Sequence, residues 1–112
     1  MYTKELVKGT LRTIVLQLLQ AEPRMYGYEL IQRVRERTDD ALVLTEGALY
    51  PTLHKLVAEG LLTTEQEKVN GRTRKYYRLT PGGSARAVEK VAEFRAFAAM
   101  MERLFTPQPK TT

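Results

Sequence analysis

The chain has 112 residues, 43% of them hydrophobic, with no cysteine and no tryptophan, and 18 basic against 13 acidic side chains give a formal charge of +5. That length makes one domain near the short end of the range, where burial is often shared with a second copy. The composition excludes disulfides, thiolate nucleophiles and thiolate metal sites, and no apolar run approaches the ~18 residues of a membrane span. The first residues run straight into a helical pattern without the apolar core of a secretion signal, so a soluble, cytoplasmic protein is expected.

Residues 4 to about 21 read as one helix, with Val7, Leu11, Ile14, Val15 and Leu18 on a single apolar face, closed by Pro23. Residues 26–37 form a second, shorter helix on the stripe Gly27, Leu30, Ile31 and Val34, and Asp39-Asp40 mark a loop. A third helix, about 45–59, starts at Thr45 as N-cap, carries Glu46 in its first turn and buries Leu49, Leu53, Leu56 and Val57. Gly60 follows as the stop.

Residues 62–69 and 72–79 read as two strands joined by Asn70-Gly71, the dipeptide best suited to positive φ at both central positions of a type I′ turn. Tyr76 and Tyr77 alternate, so one packs inward with Leu79 and the other faces out. The last helix opens at Thr80-Pro81, with Thr80 as N-cap and Pro81 where its missing N–H costs least, and Gly82-Gly83 form a soft start. Ala87, Val91, Phe94, Ala98, Met101 and Phe105 then keep a heptad seam, while Phe97, Met100 and Leu104 lie on the opposite side. A helix apolar on two sides needs two covers: its own domain and a second copy of the chain. Residues 107–112 read as a disordered tail.

The charge is concentrated. Lys68, Arg72, Arg74, Lys75 and Arg78 fall in eleven residues without an acid, leaving 13 basic against 13 acidic elsewhere. Such a cluster at a hairpin tip is the footprint of contact with a polyanion; a solvated charge run is the plain alternative, and Arg78 is placed to pair locally with an acid. Three helices followed directly by a basic hairpin are laid out as a winged helix-turn-helix, in which the third helix enters the major groove and the hairpin meets phosphates or the minor groove. The outward face of that helix carries Gly47, Ala48, Pro51, His54 and Lys55, a low profile suited to close approach to DNA, with Tyr50 at its flank where the hydroxyl reaches a phosphate. Pro51 removes one helical hydrogen bond, that to the Gly47 carbonyl. Tyr26 stands beside free N–H groups at the start of the second helix, as a phosphate donor or a half-core tyrosine.

Catalysis has little to draw on. His54 is the only histidine, Ser84 the only serine, and no phosphate-binding glycine loop is present, so neither an enzyme nor a metal or cofactor site is expected.

Glu46-Gly-Ala-Leu-Tyr-Pro-Thr-Leu-His-Lys-Leu-Val-Ala-Glu-Gly-Leu-Leu62, followed by Asn70-Gly-Arg-Thr-Arg-Lys-Tyr-Tyr-Arg-Leu-Thr80, resembles the recognition helix and wing of the PadR family of bacterial transcriptional regulators, and Tyr26-Gly-Tyr-Glu-Leu30 resembles the start of its second helix. The resemblance covers roughly residues 6–83, and the single following helix matches the family's short subgroup. It implies a mainly α fold with a small β-hairpin: a winged helix-turn-helix over 1–80 and a C-terminal dimerisation helix over 81–106. It also implies a homodimeric repressor on double-stranded DNA. Some short members stack flat aromatic molecules on a tryptophan of the last helix; this chain has Phe94 at that place.

The DNA-contacting residues are therefore expected to be Tyr26, Thr45, Glu46, Gly47, Ala48, Tyr50, Pro51, His54, Lys55, Asn70, Gly71, Arg72, Arg74 and Lys75. The dimer seam is expected at Ala87, Val91, Phe94, Ala98, Met101 and Phe105. A candidate pocket for a small aromatic effector is expected among Leu11, Val15, Leu18, Phe94 and Ala98. The rival reading is a winged-helix module whose basic hairpin meets an acidic protein; the lack of large apolar anchors on the third helix separates the two.

Overall fold

The computed structural model describes residues 4–109. Its elements are α1 (Lys4–Lys8), α2 (Leu11–Ala21), β1 (Met25–Tyr26), α3 (Gly27–Arg37), α4 (Glu46–Ala58), β2 (Leu62–Val69), β3 (Arg72–Leu79) and α5 (Pro81–Phe105). The fold is mainly helical, with one three-stranded antiparallel sheet in the order β1-β3-β2.

The single helix expected over 4–21 is two. The Thr10 hydroxyl donates to the Val7 carbonyl (3.1 Å) and the Thr10 N–H bonds the same carbonyl (3.0 Å), which closes α1 at Gly9-Thr10 and restarts the chain as α2. A hydroxyl competing for backbone acceptors beside a glycine is enough to break a helix this short. The buried face of α2 is Leu11, Val15, Leu16, Leu18 and Leu19, while Val7 and Ile14 only flank the core.

The second expected helix begins one residue late. Met25 and Tyr26 instead pair with Tyr77 and Tyr76 as a third strand, and α3 starts at Gly27 with Tyr26 as its N-cap. The Glu29 carboxylate accepts from the Tyr26 N–H at 3.1 Å, one half of a capping box. The helix expected third, now α4, follows its N-cap: Thr45 Oγ1 accepts from the Ala48 N–H at 3.2 Å. It ends in a Schellman arrangement, with Leu61 N–H on the Leu56 carbonyl, Gly60 N–H on the Val57 carbonyl, and Gly60 at φ +77°.

Asn70 (φ 51°) and Gly71 (φ 78°) join β2 to β3 as the type I′ turn requires. Tyr77 and Leu62 enter the core with Met25, while Tyr76 on the other face is only half-buried. Leu49, Leu53 and Leu56 of α4 are fully enclosed by the same core.

The root of α5 is bound to the hairpin. Thr80 Oγ1 accepts from the Gly83 N–H (2.9 Å) and donates to the Gly60 carbonyl (2.7 Å), and the Thr80 N–H bonds the Leu61 carbonyl (3.1 Å). Gly83, expected only to soften the helix start, is buried because α5 passes so close to the Leu61 carbonyl that no Cβ fits between them. Past Ala87, α5 still runs beside α2 as far as Phe94 and Arg95 before it extends away, and the molecule is 73 Å along its longest axis. Residues 107–109 have no regular structure; the rest of the expected tail, 110–112, lies outside the described residues.

Candidate nucleic-acid interface

On α4 the residues Glu46, Gly47, Ala48, Pro51, His54 and Lys55 are exposed opposite the buried leucines, together with the capping Thr45. The helix runs through Pro51 unbroken. A proline at 51 gives the Gly47 carbonyl no N–H four residues on, and a Cβ at Gly47 would meet nothing within 4 Å. Nothing among the described residues therefore requires glycine there.

Tyr50 is placed differently from expectation. It is half-buried and packed against the core, with its hydroxyl turned to the first residue of α3 where a Cβ on Gly27 would overlap it. Its first role is to set α3 against α4.

The hairpin's cations divide into two sets. Lys68, Arg72 and Lys75 are exposed near the Asn70-Gly71 turn and make no ion pair among the described residues; Lys75 Nζ stands 5.7 Å from the Tyr77 ring centroid. Arg78 is committed to Glu65, with Nε at 2.7 Å from Oε1. Arg74 lies over the Tyr26 ring, its Cζ 4.2 Å from the centroid. Tyr26 in turn meets Tyr76 edge-on with centroids 5.6 Å apart, and stacks against Tyr28 at 6.5 Å. Of the expected phosphate ligands, Tyr26 and Arg74 thus hold each other, and Asn70 and Gly71 form the turn itself.

Arg24 was not among the expected functional residues. Its guanidinium reaches Glu65 (3.0 Å) and Glu67 (2.5 Å) and stacks 3.9 Å from the Tyr76 ring centroid. Hydrogen bonds from Arg78 first, and from Arg24 as well, hold the Glu65 carboxyl below the usual glutamate range. Elsewhere Arg12 does the same to Glu59.

Along α5, Ala87 is wholly buried in the core of its own chain, so it cannot offer surface to a second copy as the heptad spacing suggested. Phe94, Ala98 and Phe105 are exposed, Val91 and Met101 half-buried, and on the other side Phe97 and Leu104 are exposed. The expected pocket is also shifted. Leu11, Val15 and Leu18 are core residues, and the shallow apolar hollow between α2 and α5 is lined instead by Thr10, Thr13, Ile14, Gln17, Val91, Phe94 and Arg95, without Ala98. Among the described residues no three His, Cys, Asp or Glu side chains gather into a metal site, and no helix is long and apolar enough to cross a membrane.

Residues 15–89 match the model of the PadR-like transcriptional regulator family, a stretch that contains α3, α4, the hairpin and the root of α5. The chain belongs to that family. This PadR-like chain is 51% identical over 55 residues to the transcriptional regulator Rv3488 of Mycobacterium tuberculosis, a match covering 44% of this chain and about half, 51%, of that relative. Among solved structures, a transcriptional regulator from Clostridium thermocellum superposes with a TM-score of 0.85 at 27% identity, covering 95% of this chain and all (100%) of the other. A PadR family regulator from Eggerthella lenta gives 0.79 at 30% identity, over 93% and 88% of the two chains. The PadR-like protein is therefore a transcriptional regulator with a winged-helix fold, and its family is one of regulators rather than enzymes.

Proposed function

We propose that this PadR-like chain is a homodimeric repressor that reads an inverted-repeat operator, with α4 in the major groove and the hairpin tip on phosphates or in the minor groove. The observation that carries the reading is the face of α4. After Glu46, its first two turns present short or flat exposed groups at Gly47, Ala48 and Pro51, although nothing among the described residues demands a glycine at 47. A surface kept low without internal cause suits close approach to a duplex, with His54 and Lys55 one turn further on as the longer polar groups. Arg72, Lys75 and Lys68 supply the sequence-independent attraction. Two copies joined along Phe94, Ala98, Met101 and Phe105 place two such faces about one helical turn of DNA apart. A flat aromatic effector seated at Phe94, in the hollow between α2 and α5, belongs to the same reading.

The test is selection of bound sequences from a random duplex pool, followed by fluorescence anisotropy on the selected duplex at several salt concentrations. An inverted repeat, and affinity falling steeply with salt, are expected; affinity insensitive to salt, or unchanged by Arg72→Ala with Arg74→Ala, overturns the assignment of the wing.

A further inference from the structure

The hairpin has an uneven support. Its base is the centre of a three-stranded sheet, but β1 ends at Tyr26, opposite Tyr76, and from Lys75 outward β2 is the only strand partner of β3 among the described residues. A two-stranded ribbon of that kind is marginally ordered by itself and twists readily. Arg72 and Lys75 stand on this unsupported part.

Arg24 reaches across the gap. It precedes β1 on the same face as Tyr26, its guanidinium lies over Tyr76 of the central strand, and its two terminal nitrogens end on Glu65 and Glu67 of the far strand. Glu67 is paired with Arg74, two residues beyond the end of β1. One side chain therefore spans all three strands and extends their bracing toward the tip. On the neighbouring ring, Arg74 closes back over Tyr26 and adds a second tie from the distal wing to the start of α3. A forked guanidinium suits this task because it bonds two carboxylates and stacks at once, which an ammonium cannot do.

We infer that Arg24 is a positioning residue for the wing: it splints the distal hairpin through Glu65, Glu67 and Tyr76, and so fixes where Arg72 and Lys75 meet the nucleic acid, without itself touching it. The inference rests on the DNA reading proposed above. Its signature is opposite in sign to simple electrostatics. Removing a carboxylate beside a polyanion ordinarily strengthens binding, whereas Glu67→Gln removes an anchor of the splint and weakens it.

The experiment uses the full chain and a duplex selected by the wild-type protein. Arg24→Gln and Glu67→Gln are each expected to weaken binding by about five- to tenfold, the scale of a paired and stacked network rather than of one exposed ion pair. The double variant should be no weaker than Arg24→Gln alone, because both changes cut one tie. Arg24→Lys, which keeps the charge and loses the fork, should resemble Arg24→Gln. The salt slope should be unchanged throughout, and amide exchange in residues 66–75 should quicken while α4 keeps its protection. The inference is overturned if Arg24→Gln lowers the salt slope by about 0.9, the value of one lost phosphate contact. It is also overturned if Arg24→Lys or Glu67→Gln binds as well as wild type or better, or if wing exchange does not change. Failure of the wild-type protein to select any duplex removes the DNA reading, and the inference with it, a result distinct from wild-type binding that the variants match.

Discussion

Gly82 and Gly83 are neighbours in the first turn of α5, and alanine is expected to act on them in opposite directions. At Gly82 the nearest atom to a new Cβ is Thr80 Oγ1 at 3.8 Å, an ordinary contact, and the site is exposed. Gly82→Ala should therefore collect the usual helix gain of about 0.5–1 kcal/mol. At Gly83 the new Cβ overlaps the Leu61 carbonyl oxygen, stands 3.0 Å from its carbon and 3.1 Å from Leu79 Cδ2. The first two atoms are backbone, fixed by the bond from the Thr80 N–H, and no rotamer change clears them. Relief requires α5 to lift from the hairpin root, an overpacking cost of about 1–3 kcal/mol, here toward its upper end. After the helix gain is subtracted, Gly83→Ala should lose about 2 kcal/mol. At about 4–8 °C per kcal/mol for a domain of this size, that is a fall in melting temperature of about 8–16 °C, against a rise of a few degrees for Gly82→Ala. Thermal unfolding followed by circular dichroism, with protein concentration held constant, compares the two. Equal shifts of the same sign would refute the claim that close approach, rather than helix propensity, puts glycine at 83.

Gly47→Ala should leave the fold as stable as wild type or raise it by up to about 0.5–1 kcal/mol, yet weaken operator binding measured by anisotropy; unchanged binding would show that the low profile of α4 has no functional purpose. Phe94→Glu combined with Met101→Glu should convert a dimer to monomer in sedimentation, and an unchanged dimer removes the seam on α5. Gly71→Ala, which forces alanine to φ 78°, should cost about 1–2 kcal/mol, visible as a lower denaturation midpoint. Glu65 titrates below the ordinary glutamate value of 4.5, so its ion pairs with Arg78 and Arg24 hold fully above that value and are lost as pH falls through the depressed one. Amide signals of Tyr76 and Arg78 should shift in that acidic window before global unfolding; wing signals that move only with the whole protein would count against it.

What the sequence made legible were the features written in adjacent residues. Asn70-Gly71 specifies its own turn, Thr45 and Thr80 their own caps, and Gly60 its own stop, because each acts within a few residues of itself. Features that depend on distant partners stayed hidden. A strand of two residues has no period, so Met25 and Tyr26 became visible only once Tyr76 and Tyr77 lay beside them. The heptad spacing of α5 is blind to which surface covers each position, and so Ala87 was assigned to a partner when it belongs to its own core. Tyr50 has the exposure pattern of a flank residue until Gly27, distant in sequence, leaves room for its hydroxyl by lacking a side chain. The one available sign of the Arg24 tie is that Glu65 and Glu67 are two residues apart and share a strand face, a pattern that asks for a cation without naming which. The clustering of charge was legible, and so was the local pairing of Arg78 with an acid, but the engagement of Arg74 by Tyr26, which leaves Lys68, Arg72 and Lys75 outward, was not.

The junction at Thr80 has a mechanical meaning. The residues that close the hairpin, Gly60, Leu61 and Thr80, are also those from which α5 departs, so wing and α5 share one junction. With 25 residues at 1.5 Å each, α5 is an arm of about 37 Å. A shift of about 2 Å at its far end is then a rotation of about 3° at the hairpin root. In the homodimer proposed above, whatever changes the distance between two such helices re-aims both wings together, and spacing along the duplex is the quantity it alters.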